Sequence, residues 1–230
     1  MAENEQADPT ITRVVLIRHG ESASNAGHWI SGQDTCGGLT DLGIAQAEAL
    51  RDRLAADATL TPDAVLVSTM RRAVHTAEII AEPHSMAPEQ HADLMERTSG
   101  EAEGLTVDEY TQKYGKRPWT DWVNPLSPGG ESGPEFAARV VSATDRVVEA
   151  HRGKTVWVVC HGGVIMLAAT RRWPAPADTS TLAAIPVTSP VNTSVSEWLV
   201  DDGGMWRMNR YNDHTHLVGV DAAATAPAPV

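Results

Sequence analysis

The sequence predicts an α/β fold of three layers, in which a mostly parallel sheet lies between helices. Three short apolar runs rich in β-branched residues are typical of strands buried on both faces, over residues 13–18, 64–68 and 155–160. Helical patterns lie between them. Strands that alternate with helices need crossover connections, which produce parallel strands with helices on both sides of the sheet. The length of 230 residues and the 42% apolar content fit such a globular domain.

Three helices are predicted from periodicity and end signals. One apolar stripe at helical spacing is formed by Met70, Ala73, Val74, Ala77 and Ile80. A capping-box pattern from Ser132 to Glu135 precedes a second stripe, which comprises Phe136, Val140, Ala143 and Val147. A less regular helix is predicted over residues 41–56, directly after Thr40.

The rest of the chain indicates one domain with an edge hairpin. Residues 194–200 and 205–211 flank Asp202-Gly203-Gly204, which favours a hairpin at a sheet edge. That edge can be capped or paired with a second copy, so the sequence allows a homodimer. Residues 83–130, which are rich in proline, are expected to form a long irregular connection at a substrate pocket. We expect the domain to span residues 13–218, with mobile ends at 1–12 and 219–230.

Charge and composition exclude several classes of partner. Eighteen Lys and Arg against thirty Asp and Glu give a formal charge of −12, which repels nucleic acid and anionic lipid. The strongly apolar stretch 156–169 is too short for a transmembrane helix. The acidic, polar N-terminus and the two cysteines, Cys36 and Cys160, favour a cytoplasmic protein without a disulfide framework. An anionic ligand therefore requires clustered Arg and His.

Such a cluster is predicted where two of the strands end. The runs Val-Val-Leu-Ile-Arg-His-Gly and Val-Trp-Val-Val-Cys-His-Gly end at Gly20 and Gly162. Ligands of open α/β sheets bind beyond the carboxyl ends of the strands, where the strand order reverses. We therefore expect His19 and His161 to share one cleft.

The residues around this cleft suit phosphate chemistry. Arg18 supplies a planar fork for two phosphate oxygens, and Gly20 lets the backbone approach an anion closely. A neutral imidazole can attack phosphorus and form a covalent intermediate. Arg72 follows the second strand and is expected to supply further positive charge, although its neighbour Arg71 is also a candidate.

Several motifs in this order resemble the histidine phosphatase superfamily, in the branch of cofactor-dependent phosphoglycerate mutase. They are Arg18-His19-Gly20-Glu21-Ser22 with Asn25, Ser68-x-x-x-Arg72-Ala73-x-x-Thr76-Ala77, Leu94-x-Glu96 with Gly100 and Glu103-Gly104, Pro128-Gly-Gly-Glu-Ser132, and His161-Gly162-Gly163. The resemblance spans about residues 13–170. It implies a three-layer α/β/α sandwich with a mostly parallel sheet.

The resemblance also implies roles for individual residues. His19 matches the nucleophile that becomes phosphohistidine, and Glu96 matches the general acid and base. The phosphate pocket is matched by Arg18, Arg72 and His161, with further contacts from Asn25 and Gly162. Ser31 and Gly32 occupy the place of a substrate-contacting loop. No metal or other cofactor is implied, and the partner is a small phosphorylated substrate.

Several alternatives remain open from the residues alone. Glu101 and Glu103 compete with Glu96 for the role of acid. The segment after Glu96 lacks the Tyr-Gly stretch and the basic cluster of the mutases, which favours a phosphatase over a phosphomutase. A phosphate-binding module without turnover is a third reading. Trp29, Trp119 and Trp122 are expected near the cleft, whereas His214 and His216 are interpreted as surface residues and not as metal ligands.

Overall fold

A computed structural model describes residues 10–170 and 188–220, and its centre is a six-stranded sheet. The strands are β1 (Thr12–Arg18), β2 (Ala64–Ser68), β3 (Glu89–His91), β4 (Thr155–Cys160), β5 (Val195–Val200) and β6 (Trp206–Asp213). Their order in the sheet is β3-β2-β4-β1-β5-β6. Strands β1 to β4 are mutually parallel. Strand β5 pairs antiparallel with β1, and β6 pairs antiparallel with β5. The prediction of a mostly parallel α/β sheet is confirmed.

Six α-helices accompany the sheet in the described residues. They are α1 (Ala23–Gly27), α2 (Asp41–Ala56), α3 (Arg71–Ala81), α4 (Val107–Tyr114), α5 (Gly133–Ala150) and α6 (Gly162–Thr170). Helix α2 has the predicted bounds, and the hydroxyl of Thr40 caps it by accepting from the N–H of Gly43. Helix α5 begins at the predicted capping box, in which Ser132 and Glu135 satisfy each other's backbone N–H groups.

The helices cover both faces of the sheet because side chains alternate along each strand. Val14 and Leu16 of β1 pack in one core with residues of α5 and α6. Val15 and Ile17, which point to the other face, pack with residues of α2 and α3. The result is the expected sandwich of three layers. Helix α6 is buried on most sides, so it lacks the one-sided apolar stripe that would have predicted it.

The predicted hairpin is present as β5 and β6, and β6 lies at one edge of the sheet. The segment 83–130 is more regular than the sequence analysis expects, because it contains β3 and α4. Strand β3 has only three residues, too few for a recognisable period. Helix α4 does carry a usable signal, since Thr106 and Glu109 form a capping box.

A small separate core stabilises this region beside the sheet. It comprises Ile30, Ala102, Tyr110 and Leu126, and the hydroxyl of Tyr110 donates to the carbonyl of Leu126 over 2.7 Å. Strand β1 begins at Thr12, one residue before the expected boundary. Of the ends expected to be mobile, residues 1–9 and 221–230 lie outside the described residues. Within the described part, no helix is both long enough and apolar enough to cross a bilayer.

Candidate active site

His19 and His161 meet at the carboxyl ends of two neighbouring parallel strands. Strand β4 lies between β1 and β2, and Arg18 of β1 is in register with Cys160 of β4. The next residue of each strand end is therefore a histidine. Their ring centroids are 5.1 Å apart, with an interplanar angle of 60°. Both side chains are buried, so the two imidazoles share one cleft as the sequence predicts.

The hydrogen bonds of His19 define the state of its ring. Nδ1 lies 2.7 Å from the carbonyl oxygen of Gly20, which only accepts, so Nδ1 carries the proton. Nε2 accepts from Nε of Arg72 over 3.1 Å. Burial, followed by the positive charges of Arg72 and Arg18, holds the pKa of His19 well below its usual value of 6.5. The ring is therefore neutral at pH 7, with Nε2 unprotonated and its electron pair accepting the Arg72 hydrogen bond.

Arg72 is held at the start of α3, beneath the cleft. Its Nη1 donates to Oγ of Ser31 over 3.3 Å, and its backbone N–H donates to Sγ of Cys36. The side chain is buried, whereas that of Arg71 is exposed. The structure therefore distinguishes the two arginines and brings Arg72 to His19.

Arg18 supplies a second buried guanidinium. Its Nη1 donates to the carbonyl of Pro190, while its Nε is buried and finds no hydrogen-bond partner among residues 10–170 and 188–220. Burial lowers the pKa of Arg18 to about 10, so the group still carries its charge at pH 7. No carboxylate of the described residues forms a salt bridge with Arg18 or Arg72. Two buried positive charges without such partners make this part of an acidic protein attractive to anions.

His161 also has an unused polar atom. Its Nε2 is 2.8 Å from Oγ of Ser68, and its buried Nδ1 has no hydrogen-bond partner in the part of the chain that the structure describes. Burial is the main cause that holds the pKa of His161 well below 6.5, and Arg72 adds to it. Unsatisfied buried polar groups are uncommon in folded proteins and often occur where a ligand binds.

Glu96 lies on the same cavity and is bound by two backbone N–H groups. Oε1 accepts from Arg97 over 2.9 Å, and Oε2 accepts from Gly163, near the start of α6, over 2.9 Å. The competing carboxylates lie elsewhere. The side chain of Glu101 is 63% exposed, and Glu103 accepts from the backbone N–H groups of residues 34 and 35. Of the three candidates, only Glu96 lines the cavity with His19.

The cavity has a volume of about 250 Å³ and a mixed wall. Its polar lining includes Arg18, His19, Asn25, Ser31, Arg72, Glu96 and Gly162. Its apolar lining includes Trp29, Ile30, Trp119, Trp122, Phe136 and Met166. Gly32 is not among the described lining residues. It lies against Glu103, whose Oε2 would be 2.1 Å from a Cβ at this position.

The segment that precedes β5 also contributes to the site and is not predicted from the sequence. Besides the Pro190 contact with Arg18, Nδ2 of Asn192 donates to the carbonyl of His19 over 2.9 Å. The N–H of Thr193 donates to the carbonyl of Arg18 over 3.0 Å, and Thr193 has a φ of 56°. A β-branched residue in this left-handed region is strained. Asn192 and Thr193 thus bind the backbone at the carboxyl end of β1, and we call this pair the clamp. No motif in the sequence marks it.

The two C-terminal histidines do not join the cleft. His216 contacts Oγ1 of Thr193 through Nε2 and Nη1 of Arg53 through Nδ1. His214 is exposed, and its Nδ1 donates to the carbonyl of Asn212. No group of three His, Cys, Asp or Glu suited to a metal ion occurs in residues 10–170 and 188–220.

Comparisons with known proteins agree with this geometry. The family model of the histidine phosphatase superfamily (branch 1) matches residues 14–214. Phosphoglycerate mutase-like protein 4 of Arabidopsis thaliana is 31% identical over 222 residues, which cover 93% of this chain and 90% of that protein. The metal-independent phosphoserine phosphatase of the same plant is 31% identical, with 95% and 89% of the two chains covered.

Solved structures give the same result. YhfR of Bacillus stearothermophilus has 29% identity and a TM-score of 0.76, with 90% of this chain and 99% of that chain covered. A mycobacterial glucosyl-3-phosphoglycerate phosphatase, Rv2419c, has 25% identity and a TM-score of 0.72, with coverage of 87% and 99%. On its sequence and its fold, the chain belongs to branch 1 of the histidine phosphatase superfamily.

Proposed function

We propose that this protein is a metal-independent phosphomonoesterase that works through a phosphohistidine on His19. Family membership supports phosphomonoester hydrolysis in general. The observation that carries the mechanism is the state of His19, a buried neutral imidazole whose Nε2 lies between a guanidinium and an open cavity. An electron pair on a nitrogen beside a cationic anion site is what attack on phosphorus requires.

In the first step, Nε2 of His19 gives up its hydrogen bond from Arg72 and attacks the phosphorus atom, and the bond to the ester oxygen breaks. Protonated Glu96 donates its proton to the leaving oxygen, so the alcohol departs neutral. The Nδ1–H bond to Gly20 keeps the ring oriented and stabilises the positive charge that develops on it. Arg18, Arg72 and Nδ1 of His161 are proposed to bind the transferring phosphoryl oxygens, with Asn25 and the N–H of Gly162 as further donors.

In the second step, the Glu96 carboxylate takes a proton from a water molecule. The water oxygen bonds to phosphorus, the N–P bond breaks, and inorganic phosphate leaves while His19 regains its electron pair. Glu96 ends the cycle protonated, as it began. The sum is ester plus water giving alcohol plus phosphate, and no electron transfer is involved. The two guanidinium groups supply the positive charge that metal ions supply in other phosphotransferases.

The substrate is proposed to be a small phosphorylated metabolite. Related proteins are named for phosphoserine and for glucosyl-3-phosphoglycerate. The cavity of about 250 Å³ suits a molecule of this size. Two basic residues downstream of Glu96 do not line the cavity: Lys116 pairs with Asp121 over 2.8 Å, and Lys113 lies 3.9 Å from Glu101. This supports a phosphatase over a phosphomutase.

Trapping of the covalent intermediate tests this function. Mixed with 4-nitrophenyl phosphate and quenched in base, the protein is expected to carry base-stable, acid-labile phosphate on the peptide that contains His19. The His19→Asn variant should carry none and should not turn over. EDTA should leave the rate unchanged. Turnover with phosphate on another residue, or a strict requirement for Mg²⁺ or Zn²⁺, would refute the mechanism, and binding of phosphate without turnover would favour the binding module.

A further inference from the structure

The three tryptophans of the cavity wall are held in different ways. Trp122 is partly buried and closely packed: a Cβ at Gly133 would lie 2.2 Å from its Cδ2, and the guanidinium of Arg97 lies 5.4 Å from its ring centroid. Arg97 is itself anchored by donating to the carbonyls of Glu131 and Asn124 over 2.8 and 2.6 Å. Trp122 and Arg97 thus form a fixed part of the wall.

Trp29 also packs against other parts of the protein. Its ring atom Cζ3 would lie 2.0 Å from a Cβ at Gly27, so the ring covers that glycine. Trp29 also forms an isolated β-bridge with Thr106, at the start of α4. A residue with these contacts serves local packing as well as the cavity.

Trp119 differs from both. It lines the cavity, yet its side chain is 40% exposed and neither a ring pair nor a cation contact involves it in the described residues. Its φ is 63°, in the left-handed region that a bulky residue adopts only under strain. Both the exposure of an apolar indole to water and the left-handed backbone cost folding free energy. Such strained or exposed residues concentrate at ligand sites.

We infer that Trp119 is the stacking partner of the leaving group and that the enzyme prefers phosphomonoesters of planar, apolar alcohols to small aliphatic ones. The inference rests on the proposed function. An indole offers an extended face to a flat ring, and the neighbouring wall of Phe136, Met166 and Ile30 is also apolar. The phosphate groups of both substrate types would bind alike at Arg18 and Arg72, so the preference arises at the leaving group.

The experiment compares 1-naphthyl phosphate with 2-phosphoglycolate in Trp119→Gly, Trp119→Phe and the wild-type protein. Glycine removes the ring and relieves the left-handed backbone, so W119G should unfold at the same temperature as the wild type or a higher one. The ratio of kcat/KM for the aryl substrate to that for the aliphatic one should fall about tenfold. W119F should keep most of the ratio. Val123→Ala, on the same loop and 55% exposed, should leave it unchanged.

The outcomes separate this inference from the proposed function. If the wild type hydrolyses both substrates and W119G changes their ratio by less than about twofold, the stacking role is wrong while the phosphatase stands. If the wild type hydrolyses neither, the proposed function fails. The Kd of 1-naphthyl phosphate, measured by calorimetry on the wild type and W119G, then decides the stacking role. Weaker binding of 1-naphthyl phosphate by W119G than by the wild type supports the stacking role. Equal binding by the two proteins overturns it.

Discussion

Nε of Arg72 donates a hydrogen bond to Nε2 of His19 over 3.1 Å. With Nδ1 protonated toward Gly20, Nε2 is the unprotonated ring nitrogen, and it is the one proposed to attack phosphorus. The same guanidinium lines the cavity in which the phosphoryl group is proposed to bind. Arg72 is therefore proposed both to orient the nucleophile and to stabilise the charge that develops during transfer.

Arg72→Lys is expected to lower kcat by a factor of about 10² to 10³, because a lysine ammonium cannot donate to His19 and to phosphate oxygens from one rigid plane. Steady-state kinetics with 4-nitrophenyl phosphate measure the loss. Arg71→Lys is the matched control, since this exposed neighbour on α3 does not line the cavity. Equal losses in the two variants would show that Arg72 acts through the helix and not through the site.

Glu96→Gln is expected to lower kcat for an alkyl phosphate by a factor of about 10² to 10⁴, the usual range for a lost general acid. With 4-nitrophenyl phosphate the first step needs less protonation, so phosphohistidine should accumulate while its hydrolysis, which needs the base, is slow. Intact-mass measurement after a rapid quench detects it. Glu101→Gln, an exposed carboxylate in the same segment, should behave as the wild type. If phosphohistidine does not accumulate in E96Q, the proposed role of Glu96 as the base that activates water is contradicted.

How much of this could be predicted from the sequence depends on the range of the interactions. The strands β1, β2 and β4 and the meeting of their two histidines follow from local apolar runs and from a general rule of parallel sheets. The clamp by Asn192 and Thr193 does not, because it acts over more than 170 residues and its members carry no periodic pattern. The roles of site residues are predicted by resemblance, which assigns the phosphate pocket to Arg72, and the burial of Arg72 beside an exposed Arg71 agrees with that assignment.

A second contact unpredicted from sequence is that of Arg139, which anchors the segment carrying Glu96. Its Nη1 donates to the carbonyls of Asp93 and Met95 over 2.9 Å, and its Nη2 donates to the carbonyl of Glu96 over 3.3 Å. The same guanidinium pairs with both carboxylate oxygens of Glu131. No helical pattern predicts these partners, since they lie up to 46 residues away.

Arg139→Lys is therefore expected to lower the free energy of unfolding by about 2 kcal/mol, because lysine cannot serve this fork of acceptors and the pair is only partly buried. The kcat should fall while KM changes little, since the loosened group is the acid and not the phosphate site. Urea unfolding and steady-state kinetics give the two quantities. Arg152→Lys, just after α5 with 49% exposure and paired with Glu149, is the control. A rise in KM at constant kcat would contradict the positioning role.

The glycines of the neighbouring loop offer a test of the backbone that supports the acid. Gly100 has a φ of 59°, and a Cβ there would lie 2.2 Å from the carbonyl oxygen of Pro128. Gly129 has a φ of 75°, but its nearest neighbour would be 3.9 Å away. Gly129→Ala is expected to cost about 1–2 kcal/mol of unfolding free energy from the left-handed backbone alone, and Gly100→Ala clearly more. If urea unfolding gives the same loss of unfolding free energy for both variants, the loop moves at Gly100 to accommodate the Cβ and the close contact is not maintained.

Acid sensitivity of the folded state is expected from His216. Burial first, and the charge of Arg53 second, lower the pKa of His216 from 6.5 to about 4. Between these two pH values the unfolded chain binds a proton that the folded chain does not, so the free energy of unfolding falls as the pH drops from 6.5 to 4. Nη1 of Arg53 donates to Nδ1 of His216, so a proton taken up at Nδ1 would break this hydrogen bond, while Nε2 would still donate to Thr193.

His216→Gln should therefore narrow the difference in unfolding free energy between pH 7.5 and pH 5, because glutamine can still reach Thr193 but takes up no proton in the unfolded state. Urea titrations at both pH values measure the difference. His214→Gln removes an exposed imidazole two residues away and serves as the control. His19 and His161, with their lowered pKa values, contribute to acid sensitivity in the same direction. The unfolding free energy of H216Q should thus depend less on pH than that of the wild type, but the dependence should not vanish. An unchanged dependence would mean that His216 is already charged in the folded protein at pH 5.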